Sequence, residues 1–371
     1  MNKKFIAASI AAVVAAPVAA VAADTTLYGN AHVSIQSNDN GATDNYTVNS
    51  NSSLIGIKGS EDLGDGLKAI FKYEMGYNIS DTGGRSPISA RNAYVGLSGS
   101  WGTFLAGRHD TPAKVAFYAS GTDFLDDSVI DINAVAGLSS ISESNFSTFT
   151  EVRADNAIAY ISPNMSGFTV AAAVVPGENH ANHKTANNLA DAYSLAVIYS
   201  GGGLKASVGY EVVAWELLEN GRWLANDHVD QKMWQVGASY TLGDFTIAGN
   251  YEKDSDYFTT KGMDRTAWAV AGKANFGNNY VVLNYGNNDR DRSESTSDAS
   301  GFDGIMENAD GYGIAVGHKF SKRTQVYAAY HVTDYTGKIT KTVTAAGGSK
   351  TKVSESIEDT ASFALGIIHT F

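Results

Sequence analysis

Apolar and polar positions alternate with a period of two through most of this chain. In the stretch 25–35, Leu27, Gly29, Ala31, Val33 and Ile35 fall on one face, and Tyr28, Asn30, His32 and Ser34 on the other. Strict alternation of this kind marks a strand with one wet side. It recurs at 53–59 and 67–75, joined by the tight turn Gly64-Asp65-Gly66, with Ala69, Phe71, Tyr73 and Met75 opposite Lys72 and Glu74. Further pairs are predicted at 91–99 with 102–108, 153–162 with 167–175, 192–200 with 204–215, 229–242 with 245–253, 265–276 with 280–286, and 310–320 with 324–335. A closing strand covers 358–371, giving sixteen strands in all: one opening, seven hairpin pairs and one closing.

The connections alternate in length. Tight turns alternate with long polar loops at 38–51, 177–190, 217–228, 254–263, 287–308 and 336–356. A sandwich has no reason to put every short turn at one end, whereas a transmembrane barrel has short periplasmic turns and long outer loops. The predicted fold is therefore all-β, a 16-stranded antiparallel transmembrane β-barrel. The last strand fits, because counting back by twos gives Phe371, His369, Ile367, Leu365 and Phe363 on one face. In lipid every unpaired backbone group costs several kcal/mol, so this strand is expected to pair with the first.

The alternation stops once, between 109 and 152. This segment holds Asp110, Asp123, Asp126, Asp127, Asp131 and Glu143, with Phe117, Tyr118, Phe124 and Leu125 among them. Long connections without regular structure are usually functional or disordered, and interleaved aromatics argue against disorder. The loop is expected to fold into the hole made by the strands and to narrow it.

Composition changes the picture at the N-terminus. Lys3 and Lys4, the apolar stretch 6–20 and the small residues Val21-Ala22-Ala23 predict a secretory signal peptide over 1–23, leaving 24–371 as the barrel. No other stretch approaches the ~18–20 apolar residues of a spanning helix. With Lys3 and Lys4 gone, 25 of the 27 basic residues face 39 acidic ones, a formal charge of −14. No basic stripe is available for phosphate neutralisation, so nucleic acid is excluded as a partner. With no cysteine the fold must rest on its core and its hydrogen-bond ladder. Thirty-eight glycines and nineteen tyrosines against five prolines suit a turn-rich β protein. The mean hydropathy of −0.16 is no obstacle to a membrane barrel, whose two faces average out.

Several fragments, taken in order, resemble the Gram-negative general porins of the trimeric outer-membrane type. They are Leu27-Tyr-Gly29, the run from Gly56 to Leu67, Arg91-Asn-Ala-Tyr-Val-Gly-Leu97, the run from Gly102 to Arg108, Ser162-Pro-Asn-Met-Ser-Gly-Phe168 and Gly366-Ile-Ile-His-Thr-Phe371. The resemblance spans nearly the whole of 24–371. It implies an outer-membrane homotrimer in contact with lipid and lipopolysaccharide, passive diffusion of ions and small hydrophilic solutes, and an inward-folded third loop. It also implies a constriction in which wall arginines face loop acids. Arg91 and Arg153 match wall positions, Glu74 matches a wall acid, and Asp123, Asp126 and Asp127 fall where the loop acids lie. Asn30 and Leu54 stand where that family often has basic residues. Arg108 and Lys72 are further candidates for the lumen. The bland reading of all these charges is a solvated face with salt bridges pinning the loop.

Phe71, Tyr73, Tyr94, Phe168, Tyr240 and Phe320 are candidates for the aromatic belts at the two membrane surfaces. No cofactor or metal site is expected. Neither 287–292 nor 298–310 follows calcium-loop spacing, and His180 with His183 is weak as a zinc pair. No nucleophile sits in a Gly-x-Ser-x-Gly elbow, so an enzyme is not expected. The rival readings are a substrate-selective channel, an outer-membrane barrel enzyme and an adhesin.

Overall fold

The computed structural model describes residues 24–39, 43–81, 86–133, 151–177, 189–213, 229–257, 261–292, 304–344, 350–356 and 358–371. The expected leader, Glu143, His180 and His183 lie outside them. The strands are β1 (Asp24–Asp39), β2 (Asp44–Ser50), β3 (Leu54–Gly64), β4 (Leu67–Tyr77), β5 (Ile88–Gly99), β6 (Gly102–Asp110), β7 (Arg153–Ile161), β8 (Phe168–Val175) and β9 (Ala192–Gly201). They continue as β10 (Leu204–Val213), β11 (Gln231–Leu242), β12 (Phe245–Ser255), β13 (Met263–Phe276), β14 (Asn279–Arg292), β15 (Gly304–Lys319), β16 (Thr324–Thr344), β17 (Lys350–Ser356) and β18 (Thr360–Thr370).

These eighteen segments form sixteen staves. β2 and β3 both pair with β1, and β17 and β18 both pair with β16, each couple being one stave with a break, opposite 31–32 of β1 and 334–337 of β16. Every neighbour is antiparallel and follows in chain order. The ring closes where β1 meets β18, from Asn30↔Thr370 to Asp39↔Ala361. Gly29 and Phe371 complete the seam by exchanging two backbone hydrogen bonds of 3.1 Å. Closure leaves no lipid-exposed sheet edge, which is what allows a sheet to span a bilayer.

Two expectations change. The regions 38–51, 287–308 and 336–356, read above as loops, are partly strand: β1, β14 and β16 run past the apolar band, and β2, β15 and β17 pair with them. Above the membrane both faces of a hairpin meet water, so the period-two signal vanishes while the ladder persists. Tyr94 does not join an aromatic belt. Its neighbours Val95 and Leu97 alternate outward and are exposed, and Tyr94 turns inward to meet His109 edge-on at 6.4 Å. Tyr73, Phe168, Tyr240 and Phe320 lie exposed on the outer face.

The core lies between the inner wall and the loop that follows β6. Thr111 caps a helix, α1 (Pro112–Ala119), its hydroxyl accepting from the Lys114 amide at 3.3 Å; Pro at the first turn and Gly121 at φ +70° after the last bracket it. Ala116 packs on Ala171 and Ala196. Phe117 and Ile132 pack on Ala267, Ala269 and Ala271. Leu125 and Ile130 pack on Tyr280, Val282, Ala315, Tyr327, Ala329 and Ala364. The wall is built from small side chains where the loop lies against it. The larger Tyr280 and Tyr327 lie flat, over Gly317 and Gly366, where any Cβ would collide with the rings.

Candidate functional site

The described first part of the third long loop, residues 111–133, is fastened to the inner wall. Ser194 Oγ accepts from the Ala113 amide (2.9 Å), Ser207 Oγ donates to the Ala116 carbonyl (2.7 Å) and Ser239 Oγ to the Ser120 carbonyl (2.6 Å). Gln235 donates to the Ala113 carbonyl, Asn250 to the Thr122 hydroxyl, and Asn284 to the Ile130 carbonyl at 2.5 Å. These polar side chains point inward from β9 to β14 and satisfy loop groups that would otherwise be buried unpaired.

An ionic cluster ties together the two ends of the loop. Arg153 Nη2 lies 2.9 Å from Asp110 Oδ1, and its Nε donates to Asn92 Oδ1 at 3.3 Å. Lys114 Nζ lies 2.8 Å from Glu151 Oε2 and 3.6 Å from Asp110 Oδ1. The Tyr118 hydroxyl donates to Glu151 at 2.5 Å, and Asn133 donates to the same oxygen. Asn92 takes over the ladder where β6 leaves the wall, accepting from the Asp110 amide (2.9 Å) and donating to its carboxylate (2.7 Å).

A β-bulge aims Arg91. Tyr73 pairs with Ala93 and Met75 with Ala90, so Arg91 and Asn92 together oppose Glu74 and both turn inward. Arg91 lies within electrostatic reach of Asp110, Asp126 and Asp127, and its Nε is buried without a hydrogen-bond partner among the described residues. Glu74 accepts from Tyr28 at 2.9 Å and sits 3.0 Å from Lys72, on the same inner face.

On the loop, Asp123, Asp126 and Asp131 bring carboxylate oxygens within 4.8 Å of one another. That spacing could hold a cation, where the sequence suggested no metal site. Without an ion, burial and mutual repulsion favour the protonated carboxyls. Burial, then Asp131 and Asp126, pushes the Asp123 carboxyl well up. Burial, then Asp126 and Asp127, does the same to Asp131. Burial also raises Asp126, against a hydrogen bond with Asp123. Burial and the neighbouring Asp126 push Asp127 up to about 6, against a hydrogen bond from Ser52 and the pull of Arg91.

The structure thus gathers Arg91, Arg153, Lys72, Glu74, Asp123, Asp126 and Asp127 inside the barrel. Arg108 does not join them. It alternates with inward Leu105 and His109, shares the outer face with exposed Phe104, and pairs there with Asp155. The alternation within β6 already carried that information. Asn92, Lys114 and Glu151 were missed. For Lys114 a signal existed, since Thr-Pro followed by an apolar-periodic run is a helix start. Asn92 depends on a bulge that leaves no mark in the sequence. The oxygen-rich stretch at 287–292 is the upper end of β14, and its described side chains form no cage, with Asp289 exposed on one face and Arg290 buried on the other.

Comparison with known proteins agrees with this architecture. The family model for Gram-negative porins matches residues 7–338. Outer membrane protein U of Vibrio parahaemolyticus is 24% identical over 361 residues, covering 92% of this chain and 90% of the relative. A major outer membrane protein P.IB of Neisseria gonorrhoeae is 25% identical over 349 residues, covering 87% and 91%. The solved anion-selective porin from Comamonas acidovorans superposes with a TM-score of 0.68 at 22% identity, over 94% of this chain and all of that one. A Salmonella typhi OmpF structure gives 0.62 at 14% identity, over 94% and 97%. A closed sixteen-stave barrel, an inward third loop and a family match over most of its length place this chain in the Gram-negative porin family, the diffusion-channel barrels of the outer membrane.

Proposed function

We propose that this protein is a passive outer-membrane channel for ions and small hydrophilic solutes, and that it catalyses no reaction. Filtering takes place at a waist formed by the 109–152 loop. Size is set by how far the loop reaches into the lumen, and charge by Arg91 and Arg153 on the wall facing Asp126 and Asp127 on the loop. Opposed charges in a narrow passage orient polar solutes and bias ion permeation. Lys72 and Glu74 line the same side but largely neutralise one another. A homotrimer embedded in lipid and lipopolysaccharide is the expected assembly, by analogy with the family.

The observation that carries this reading is the loop itself, pinned across the inside of the barrel with Arg91 in reach of its acids. Reversal potentials of the Arg91→Ala, Arg153→Ala double variant across a salt gradient in planar bilayers test it. The expected result is a shift toward cations. An unchanged potential would remove both arginines from the permeation path.

A further inference from the structure

Below the loop, on the short-turn side, the inner wall carries a second set of charges that the waist does not use. Lys205 lies on the face of β10 that also holds Ser207, which is fastened to the loop. Lys273 shares the face of buried Ala267, Ala269 and Ala271. Lys319 follows Ala315 and Gly317 on the inner face of β15, alternating with exposed Ile314, Val316 and Phe320.

Two of these lysines converge on one ring. Lys273 Nζ lies 4.8 Å and Lys319 Nζ 5.7 Å from the centre of Tyr280, on the strand between them. The ring is held in place because it lies on Gly317. The Tyr280 hydroxyl is buried with no hydrogen-bond partner among the described residues. Lys273 also lies 5.8 Å from the Phe124 ring of the loop. Lys205 lies against Gly121 of the loop, its Nζ 3.4 Å from where a Cβ on that residue would sit.

No described ion pair involves Lys205, Lys273 or Lys319. The surrounding wall segments, 204–209, 237–248, 269–284 and 313–329, contain a single acid, Asp244, which sits in a turn. The nearest loop acid within electrostatic reach of Lys273 is Asp123. Two ammonium groups outside any described ion pair, brought together over one ring, match a multiply charged acceptor better than a single halide.

We propose that Lys273, Tyr280 and Lys319, with Lys205 alongside, form a binding subsite for small tetrahedral oxyanions of the phosphate type, on the short-turn side of the waist. This rests on the channel reading. It adds a second recognition step, displaced along the pore axis from Arg91 and Arg153 and carried by the wall to which the loop is fastened. A phosphorylated solute leaving the waist would be held there before release.

The test is single-channel recording with inorganic phosphate, at constant ionic strength and a pH where it is dianionic, added to one side at a time. Phosphate on the short-turn side is expected to lower the conductance saturably, at lower concentration than on the loop side. The Lys273→Gln, Lys319→Gln pair is expected to raise the half-blocking concentration about tenfold, the size of two solvent-screened charged hydrogen bonds. Tyr280→Phe, which keeps the ring under both lysines and removes only a buried hydroxyl, should keep the block. The Lys273→Arg, Lys319→Arg pair should keep the block. Equal block from both sides, or a glutamine pair that blocks like the parent, would overturn the subsite while leaving the channel reading intact. A chain that never conducts would overturn both.

Discussion

The loop is held by two kinds of interaction, and removing one kind makes a graded prediction. Take the triple variant Ser207→Ala, Ser239→Ala, Asn284→Ala. Each residue donates a buried hydrogen bond to a loop carbonyl, at 2.7, 2.6 and 2.5 Å. Losing the Ser239 or Asn284 donor leaves its carbonyl without a described partner, at a cost of about 1–2 kcal/mol each, whereas the Ala116 carbonyl keeps the Ser120 amide at 3.1 Å and losing Ser207 costs about 0.5–1.5 kcal/mol. Together the cost is about 2.5–5.5 kcal/mol, less any coupling through the shared loop. The apolar anchors remain: Phe117, Leu125, Ile130 and Ile132 are all almost fully buried. Each contributes about 1.5–3 kcal/mol. The loop should therefore loosen without being released, its detached population rising by roughly two to four powers of ten. The barrel ladder is untouched, so the protein should still insert. In planar bilayers the variant should show brief excursions to a higher conductance. In liposome swelling it should admit sugars that the parent excludes. A quiet current at the parental level, with unchanged swelling rates, would show that these bonds do not hold the loop at the waist.

Two further outcomes follow from the same geometry. Asp127 has its carboxyl raised to about 6, so its negative charge is present above that pH and lost as pH falls through it; cation preference should decline across this window, and Asp127→Asn should remove the inflection. The stability sign runs the other way, because a folded-state value above the unfolded one makes the protonated loop the better packed, with the gain appearing as pH falls below about 6 and complete below about 4. Gly366→Ala places a methyl group against the Tyr327 ring near the β1–β18 seam; overpacking of this kind costs about 1–3 kcal/mol, so the temperature at which the folded gel band is lost should drop, and an unchanged temperature would refute the tight ring-on-glycine contact.

The sequence by itself determined the sheet. Period-two alternation is a local property, and lipid outside with water inside enforces it residue by residue along each stave. That is why Leu27 to Ile35, or Phe363 to Phe371, could be read without coordinates, and why short and long connections gave both the count and the closure. The same alternation placed Lys72 and Glu74 on the inner face; followed through β6 it also runs against the lumen position expected for Arg108, which lies on the outer face. Where both faces of a strand are wet, as at the ends of β14 and β16, the local signal was lost and strand was taken for loop.

Only the tertiary structure decided the site. The loop's course depends on contacts with staves 80 to 150 residues further along, such as Ala113 with Ser194 and Ile130 with Asn284, and no local pattern encodes them. The inward alanines of β8 to β16 make room for the loop, yet in sequence they look like any small residue in a strand. Arg91 comes within reach of the loop acids because a bulge turns two successive residues the same way, which breaks the rule the sequence reading relied on. Lys273 and Lys319 lie 46 residues apart and meet over one tyrosine because β13, β14 and β15 are neighbours. Alternation is fixed by solvent at each position, whereas convergence is fixed by the closing of the ring, and the chemistry of this channel depends on convergence.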